Sequence, residues 1–215
     1  MINKLTTVAR NIVLTFDDDL SNQFIKLNER IHRAVPSKIV LNMENMIPHL
    51  TIYGTKYPAK NVGVLEARLS SLVKRLRPFT LRLNSKSIVA GTIFLDAELS
   101  KKLYTLHVKL TDGMNPFREG LYDEKELELP GLTQGMKDSL VNYGMLLSKE
   151  EYVPHVTVAR PFDSQRCEEA LSVLPEKIDF ETKITSISLV ETGPNGTCKR
   201  IIQSFPFRTE NHHVS

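Results

Sequence analysis

Pro48-His49-Leu50-Thr51-Ile52 returns later in the chain as Pro154-His155-Val156-Thr157-Val158. Proline, histidine and threonine repeat in register, and the positions between and after stay aliphatic. From Pro48 to Pro154 is 106 residues in a chain of 215, too far for a tandem repeat and suited to two halves of one compact unit. Residues i and i+2 of a strand point to one face and i+1 to the other. His49 and Thr51 therefore share a face with Leu50 and Ile52 behind them, and His155 and Thr157 stand in the same way over Val156 and Val158. Each copy reads as a short strand with its back in apolar packing and an imidazole and a hydroxyl on its front. The preceding proline has no N–H to donate, so ladder pairing ends there and the strand borders a cleft.

Outward from the two copies, strands and helices mix without strict alternation. Asn11 to Phe16 reads as a buried strand. Leu20, Phe24, Leu27 and Ile31 follow at helical spacing, with Asp17, Asp18 and Asp19 near the helix N-terminus and Pro36 closing it. The first copy lies in a strand from about Ile47 to Tyr53. Asn61 is placed to cap a second helix with the stripe Leu65, Leu69, Leu72 and Leu76, stopped by Pro78. Phe79 to Asn84 alternates as a half-buried strand, Thr92 to Leu95 is another, and a third helix carries Leu99, Leu103, Leu106 and Leu110. Between Asp112 and Tyr152 glycines and prolines break the pattern, leaving a short helix near Met136 to Leu147. A connection of that length reads as an insertion or lid over a site, or equally as a disordered surface excursion. The second copy forms a strand from Tyr152 to Ala159, with a short helix around Ser164 to Leu174. Two last strands, near Ile184 to Glu191 and Arg200 to Phe207, are joined by the turn Gly193-Pro194-Asn195-Gly196. The tail from Glu210 to Ser215 is expected to fray. The class that follows is α+β, one domain with two lobes over residues 1–215.

Composition bounds the function. Apolar residues at 41% and charged residues at 25% describe an ordinary globular chain. A net charge of +3 and a pI near 8.8 suit an anionic substrate and fall short of a nucleic-acid coat protein. Cys167 and Cys198 are the only cysteines, which supports neither a disulfide framework nor a thiolate metal site. Met1 to Arg10 has no apolar core of a signal peptide, and no run of about 18 apolar residues occurs, so a cytoplasmic protein without a membrane span is expected. A monomer is expected.

Two imidazoles flanking two hydroxyls suit acid/base chemistry at a phosphodiester. One neutral ring accepts a proton from the attacking water or ribose hydroxyl, and a charged partner protonates the leaving oxygen. The threonine hydroxyls donate to the non-bridging oxygens and hold phosphorus between the rings. Neither copy offers a ligand trio, and H-x-T is not a zinc spacing such as H-E-x-x-H, so no metal and no cofactor are expected. Tyr53 and Arg160, just past the copies, are candidates to stack on a base or contact phosphate.

The paired H-x-T-hydrophobic motifs resemble those of the 2H phosphoesterase superfamily, which includes bacterial 2′-5′ RNA ligase-like proteins and RNA cyclic phosphodiesterases. His155-Val156-Thr157-Val158-Ala159-Arg160 is similar to the bacterial branch in particular. The resemblance rests on about ten residues and the strand–helix layout. It implies a bilobal, pseudo-twofold pair of antiparallel sheets flanked by helices, with a histidine from each lobe on a central cleft. It also implies His49, Thr51, His155 and Thr157 as the catalytic set. The reaction implied is hydrolysis of a 2′,3′-cyclic phosphate or a 2′-5′ phosphodiester, on an RNA end or small nucleotide. The alternative is a non-catalytic nucleotide- or RNA-binding module using the same cleft. Tyr53-Gly54-Thr55 and the long excursion depart from the bacterial pattern and bear on which substrate is taken.

Overall fold

In the computed structural model, which describes residues 6–129 and 131–208, a single antiparallel sheet of eight strands organises the chain. The tail from Glu210 to Ser215 lies outside the described residues. The strands are β1 (Thr7–Thr15), β2 (His49–Pro58), β3 (Phe79–Val89), β4 (Thr92–Ala97), β5 (His155–Ala159), β6 (Phe180–Ile184), β7 (Ser186–Thr192) and β8 (Cys198–Pro206). Their spatial order is β6-β3-β4-β5-β2-β1-β7-β8. The expected two antiparallel sheets are thus two four-stranded halves, and they meet along β5 and β2. That seam is narrow, since β2 and β5 pair only at Leu50 and Val156.

Five helices accompany the sheet among the described residues: α1 (Asp18–Ala34), α2 (Val62–Val73), α3 (Lys101–Met114), α4 (Gln134–Tyr143) and α5 (Cys167–Ser172). Local chemistry sets their ends. Asp17 caps α1 by accepting the Leu20 N–H at 2.8 Å, and Val35, ahead of Pro36, is already extended. Ser100 caps α3 from Leu103, and Thr133 and left-handed Gly144 bracket α4. Asn61 does not cap α2. Its amide instead reaches across to the Phe117 carbonyl at 2.8 Å, tying that helix to the excursion after α3.

The two halves are built alike. β1 is followed by α1 and then by its antiparallel neighbour β2; β4 is followed by α3 and then by its antiparallel neighbour β5. The helices cross over: α1 packs beneath β5 and α3 beneath β2. Leu20, Phe24, Leu27 and Ile31 on α1, and Leu103, Leu106 and Leu110 on α3, meet Leu50, Ile52, Val156 and Val158 in one continuous core on the back of the sheet. Each such side chain contributes about 2 kcal/mol on burial, so the backs of the two motif strands are firmly anchored. The front is left for the cleft. β6 has no counterpart in the sequence reading; it is a five-residue edge strand whose outward residues are charged.

Candidate functional site

β2 and β5 run antiparallel at the centre of the sheet, and the Leu50–Val156 pair sets their register. That register puts His49 beside Thr157 and Thr51 beside His155 on the front face. All four are half-buried and line one cleft, while Leu50, Ile52, Val156 and Val158 are fully buried behind them. The structure thus brings together the four residues that the repeated motif singled out.

Both imidazoles are held in the same way. His49 Nδ1–H donates to the Ile47 carbonyl at 2.8 Å, and His155 Nδ1–H donates to the Val153 carbonyl at 2.7 Å. A carbonyl can only accept, so Nδ1 must carry the hydrogen and the lone pair of each neutral ring is on Nε2. Their environments then differ. His155 lies flat on Phe94, with centroids 3.7 Å apart and planes 16° from parallel. Asp96 is its cross-strand partner, where Thr15 faces His49. Burial drives the His155 pKa down to about 4, and the Val153 carbonyl and Asp96 offset only part of this. Burial also lowers the pKa of His49, against its own carbonyl bond. The charge of His49 further disfavours charging His155, which places the two rings within electrostatic reach of each other.

A bulge follows the threonine in each copy. On β2, Thr51 pairs with Val13 and Tyr53 with Ile12, leaving Ile52 as the extra residue. On β5, Thr157 pairs with Phe94 and Ala159 with Ile93, leaving Val158 extra. Strict alternation would put Tyr53 on the cleft face and Arg160 on the core face; each bulge reverses this. Arg160 lines the cleft, where its Nη1 donates to Asn195 Oδ1 at 3.4 Å. Tyr53 is 0% exposed in the core, and its hydroxyl donates to the Tyr143 carbonyl at 2.7 Å. The expectation that Tyr53 contacts substrate is therefore corrected: Tyr53 secures the excursion to the sheet. Gly54, the counterpart of Arg160, faces the cleft with the Asn11 amide lying over it, so close that a Cβ there would sit 2.1 Å from Asn11 Oδ1.

Each bulge is held from beneath by a buried polar side chain on the crossing helix. Asn28 of α1 donates from Nδ2 to the Val158 carbonyl at 2.7 Å and to Ile39, and accepts the Leu41 N–H. His107 of α3 donates from Nδ1 to the Ile52 carbonyl at 2.6 Å and accepts the Lys149 N–H at 2.8 Å on Nε2. The carbonyls that a bulge turns out of the ladder thus find partners. His107 also stacks on Tyr152 at 3.7 Å, whose hydroxyl donates to the Thr51 carbonyl. Sequence reading passed over both residues. The available signal was a polar residue amid the apolar stripe of each helix.

The cleft holds about 450 Å³. Residues of the 112–152 segment wall one side of it, among them Asp123, Glu126 and Gly144 to Leu147. Lys56 bridges to Asp123 at 2.7 Å and keeps that carboxyl below its usual range, whereas burial raises Glu126. Among the described residues there is no group of three or more His, Cys, Asp or Glu able to hold a metal ion, and no helix long and apolar enough to cross a membrane.

Paired antiparallel halves, each sending a histidine and a threonine to one central cleft, define the 2H phosphoesterase class. The model of the 2′-5′ RNA ligase superfamily matches residues 16–196, and the chain belongs to that family, whose members make or break phosphodiester bonds. No curated protein sequence matches it. The fold is shared with TT0787 of Thermus thermophilus, at 16% identity and a TM-score of 0.57 over 94% of this chain and 99% of that one. It is shared also with E. coli LigT in apo form, at 13% identity and a TM-score of 0.59 over 95% and 99%. LigT complexed with 3′-AMP superposes with a TM-score of 0.61 at 12% identity, over 95% and 100%.

Proposed function

We propose that this protein is a metal-independent phosphodiesterase that hydrolyses 2′,3′-cyclic phosphates or 2′-5′ linkages on RNA ends or small nucleotides. The observation that carries this reading is the seam between β2 and β5, where two imidazoles, each with Nδ1 committed to a backbone carbonyl, alternate with two threonines. One Nε2 takes a proton from the attacking water as the new P–O bond forms. The imidazolium opposite gives its proton to the departing ribose oxygen as the old bond breaks. Thr51 and Thr157 donate to the non-bridging oxygens, and Arg160 supports the anion from the cleft wall. The carbonyl bonds orient both rings before substrate arrives, which lowers the reorganisation needed in the transition state. A nucleotide in a LigT complex is in keeping with a small-nucleotide ligand here.

Catalysis needs one ring neutral and one charged. Burial lowers both pKa values in the free protein, so the bell of kcat/KM is expected to centre on the acidic side of neutrality. A bound phosphodiester anion stabilises the imidazolium, so the bell of kcat should lie at higher pH. The decisive assay is turnover of nucleoside 2′,3′-cyclic phosphates and of 2′-5′-linked oligoadenylate in EDTA. Activity is expected to persist with chelator and to vanish in His49→Ala and in His155→Ala. Loss of activity on chelation, or survival in either variant, refutes the mechanism.

A further inference from the structure

Phe162 stands two residues beyond Arg160 and is 65% exposed. A scattered surface apolar residue ordinarily needs no explanation, but this one is braced. Its N–H donates to the Pro36 carbonyl at 3.1 Å, and the neighbouring Pro161 bridges to Ser37. Ser37 is itself locked to Arg160: its Oγ accepts the Arg160 N–H at 2.9 Å and donates to the Arg160 carbonyl at 3.1 Å. That carbonyl also accepts the Lys38 N–H at 2.7 Å. The ring is thus presented to water on a fixed piece of backbone, and it does not ride on a mobile tip. The exposed Lys38 holds its ammonium 6.0 Å from the ring centroid. The residues bracketing the pair, Ile39 after Lys38 and Arg160 before Pro161, both line the cleft. An exposed aromatic ring with one cation beside it, two residues along the chain from an arginine that lines the cleft, has the chemistry of a stacking platform for single-stranded nucleic acid.

We infer that Phe162 stacks the nucleobase of a nucleotide adjoining the one in the cleft, with Lys38 and Arg160 meeting the phosphate between them. The substrate class is then single-stranded RNA bearing the reactive phosphate at its end, in preference to a free mononucleotide. This rests on the phosphodiesterase reading of the cleft, yet it is separable from it by experiment.

Two substrates distinguish them: a nucleoside 2′,3′-cyclic monophosphate and a four-nucleotide oligoribonucleotide ending in the same cyclic phosphate. Phe162→Ala is expected to lower kcat/KM for the oligonucleotide about tenfold, through KM, and to leave the mononucleotide unchanged. Phe162→Tyr should retain most of the oligonucleotide activity. In parallel, 2-aminopurine at the penultimate position reports stacking directly in the His49→Ala background. Its fluorescence should be quenched on binding, and this quenching should be lost in the Phe162→Ala double variant. Equal effects on both substrates, or undiminished oligonucleotide affinity and quenching in Phe162→Ala, overturn the inference. If wild type turns over neither substrate, the catalytic reading fails, and the affinity and quenching measurements still decide the platform.

Discussion

His107 offers the sharpest test of how the site is held together. Its ring is fully buried, and burial lowers its pKa to about 4, with the Ile52 bond opposing and Lys149 adding. Protonation would cost its Nε2 lone pair, and with it the acceptor for the Lys149 N–H. Against an ordinary value of 6.5, at about 1.4 kcal/mol per pKa unit, forcing a proton onto the folded protein costs about 3 kcal/mol. Above pH 6.5 neither the folded nor the unfolded chain carries this proton, and the residue adds no pH dependence. As the pH falls toward 4 the unfolded chain takes up a proton that the folded chain refuses, so stability falls with falling pH. The loss from this one residue is about 2 kcal/mol at pH 5. His49 and His155 pull the same way, so the comparison must be differential. His107→Gln removes the titration along with the stacking on Tyr152. It is expected to be less stable than wild type by about 2–3 kcal/mol at pH 7.5. At pH 5 that gap should narrow by about 2 kcal/mol, because only wild type has paid the protonation penalty at position 107. Guanidinium unfolding followed by far-UV circular dichroism measures both, the chain having no tryptophan. A gap of the same size at the two pH values would refute the assignment of His107 as a neutral clamp on the Ile52 bulge.

Two further substitutions probe the bulges. Tyr53→Phe deletes the hydroxyl that donates to Tyr143 and leaves the ring packed; it is expected to cost about 1 kcal/mol in denaturant unfolding with kcat unchanged. A large rise in KM or drop in kcat with intact stability would restore Tyr53 as a substrate contact. Gly54→Ala drives a Cβ into the Asn11 amide, and is expected to destabilise by about 1–3 kcal/mol in the same unfolding measurement. Adding Asn11→Ala should recover most of that loss, and an additive double variant would show that the clash is not what matters.

Several elements were readable from pattern because their causes are local. The stripe Leu20, Phe24, Leu27, Ile31 with Asp17 ahead of it is α1, and Leu103, Leu106 and Leu110 lie along α3. Alternation around each motif correctly gave the buried backs Leu50, Ile52, Val156 and Val158. β6 escaped notice because an exposed five-residue edge strand with Glu181 and Lys183 outward has little apolar signal to detect. Asn61 has a capping side chain by type, but a carbonyl from a distant turn competed for it and won. Position alone made both Tyr53 and Arg160 candidates for substrate contact. The single inserted residue in each strand turns Tyr53 into the core and Arg160 out to the cleft, and no local rule reports where a ladder slips.

The amino-acid string determines on its own that two like strands exist, which side of each is apolar, and which polar groups the other side offers, because side-chain direction in a strand follows from backbone geometry over a few residues. Only the tertiary structure decides that the two strands meet at Leu50 and Val156, that both bulge one step past the threonine, and that Asn28 and His107 reach across from the opposite half to satisfy the displaced carbonyls. Those are relations between segments up to 130 residues apart. They are settled by packing and by the demand that buried hydrogen-bonding groups find partners, which no single stretch of chain encodes.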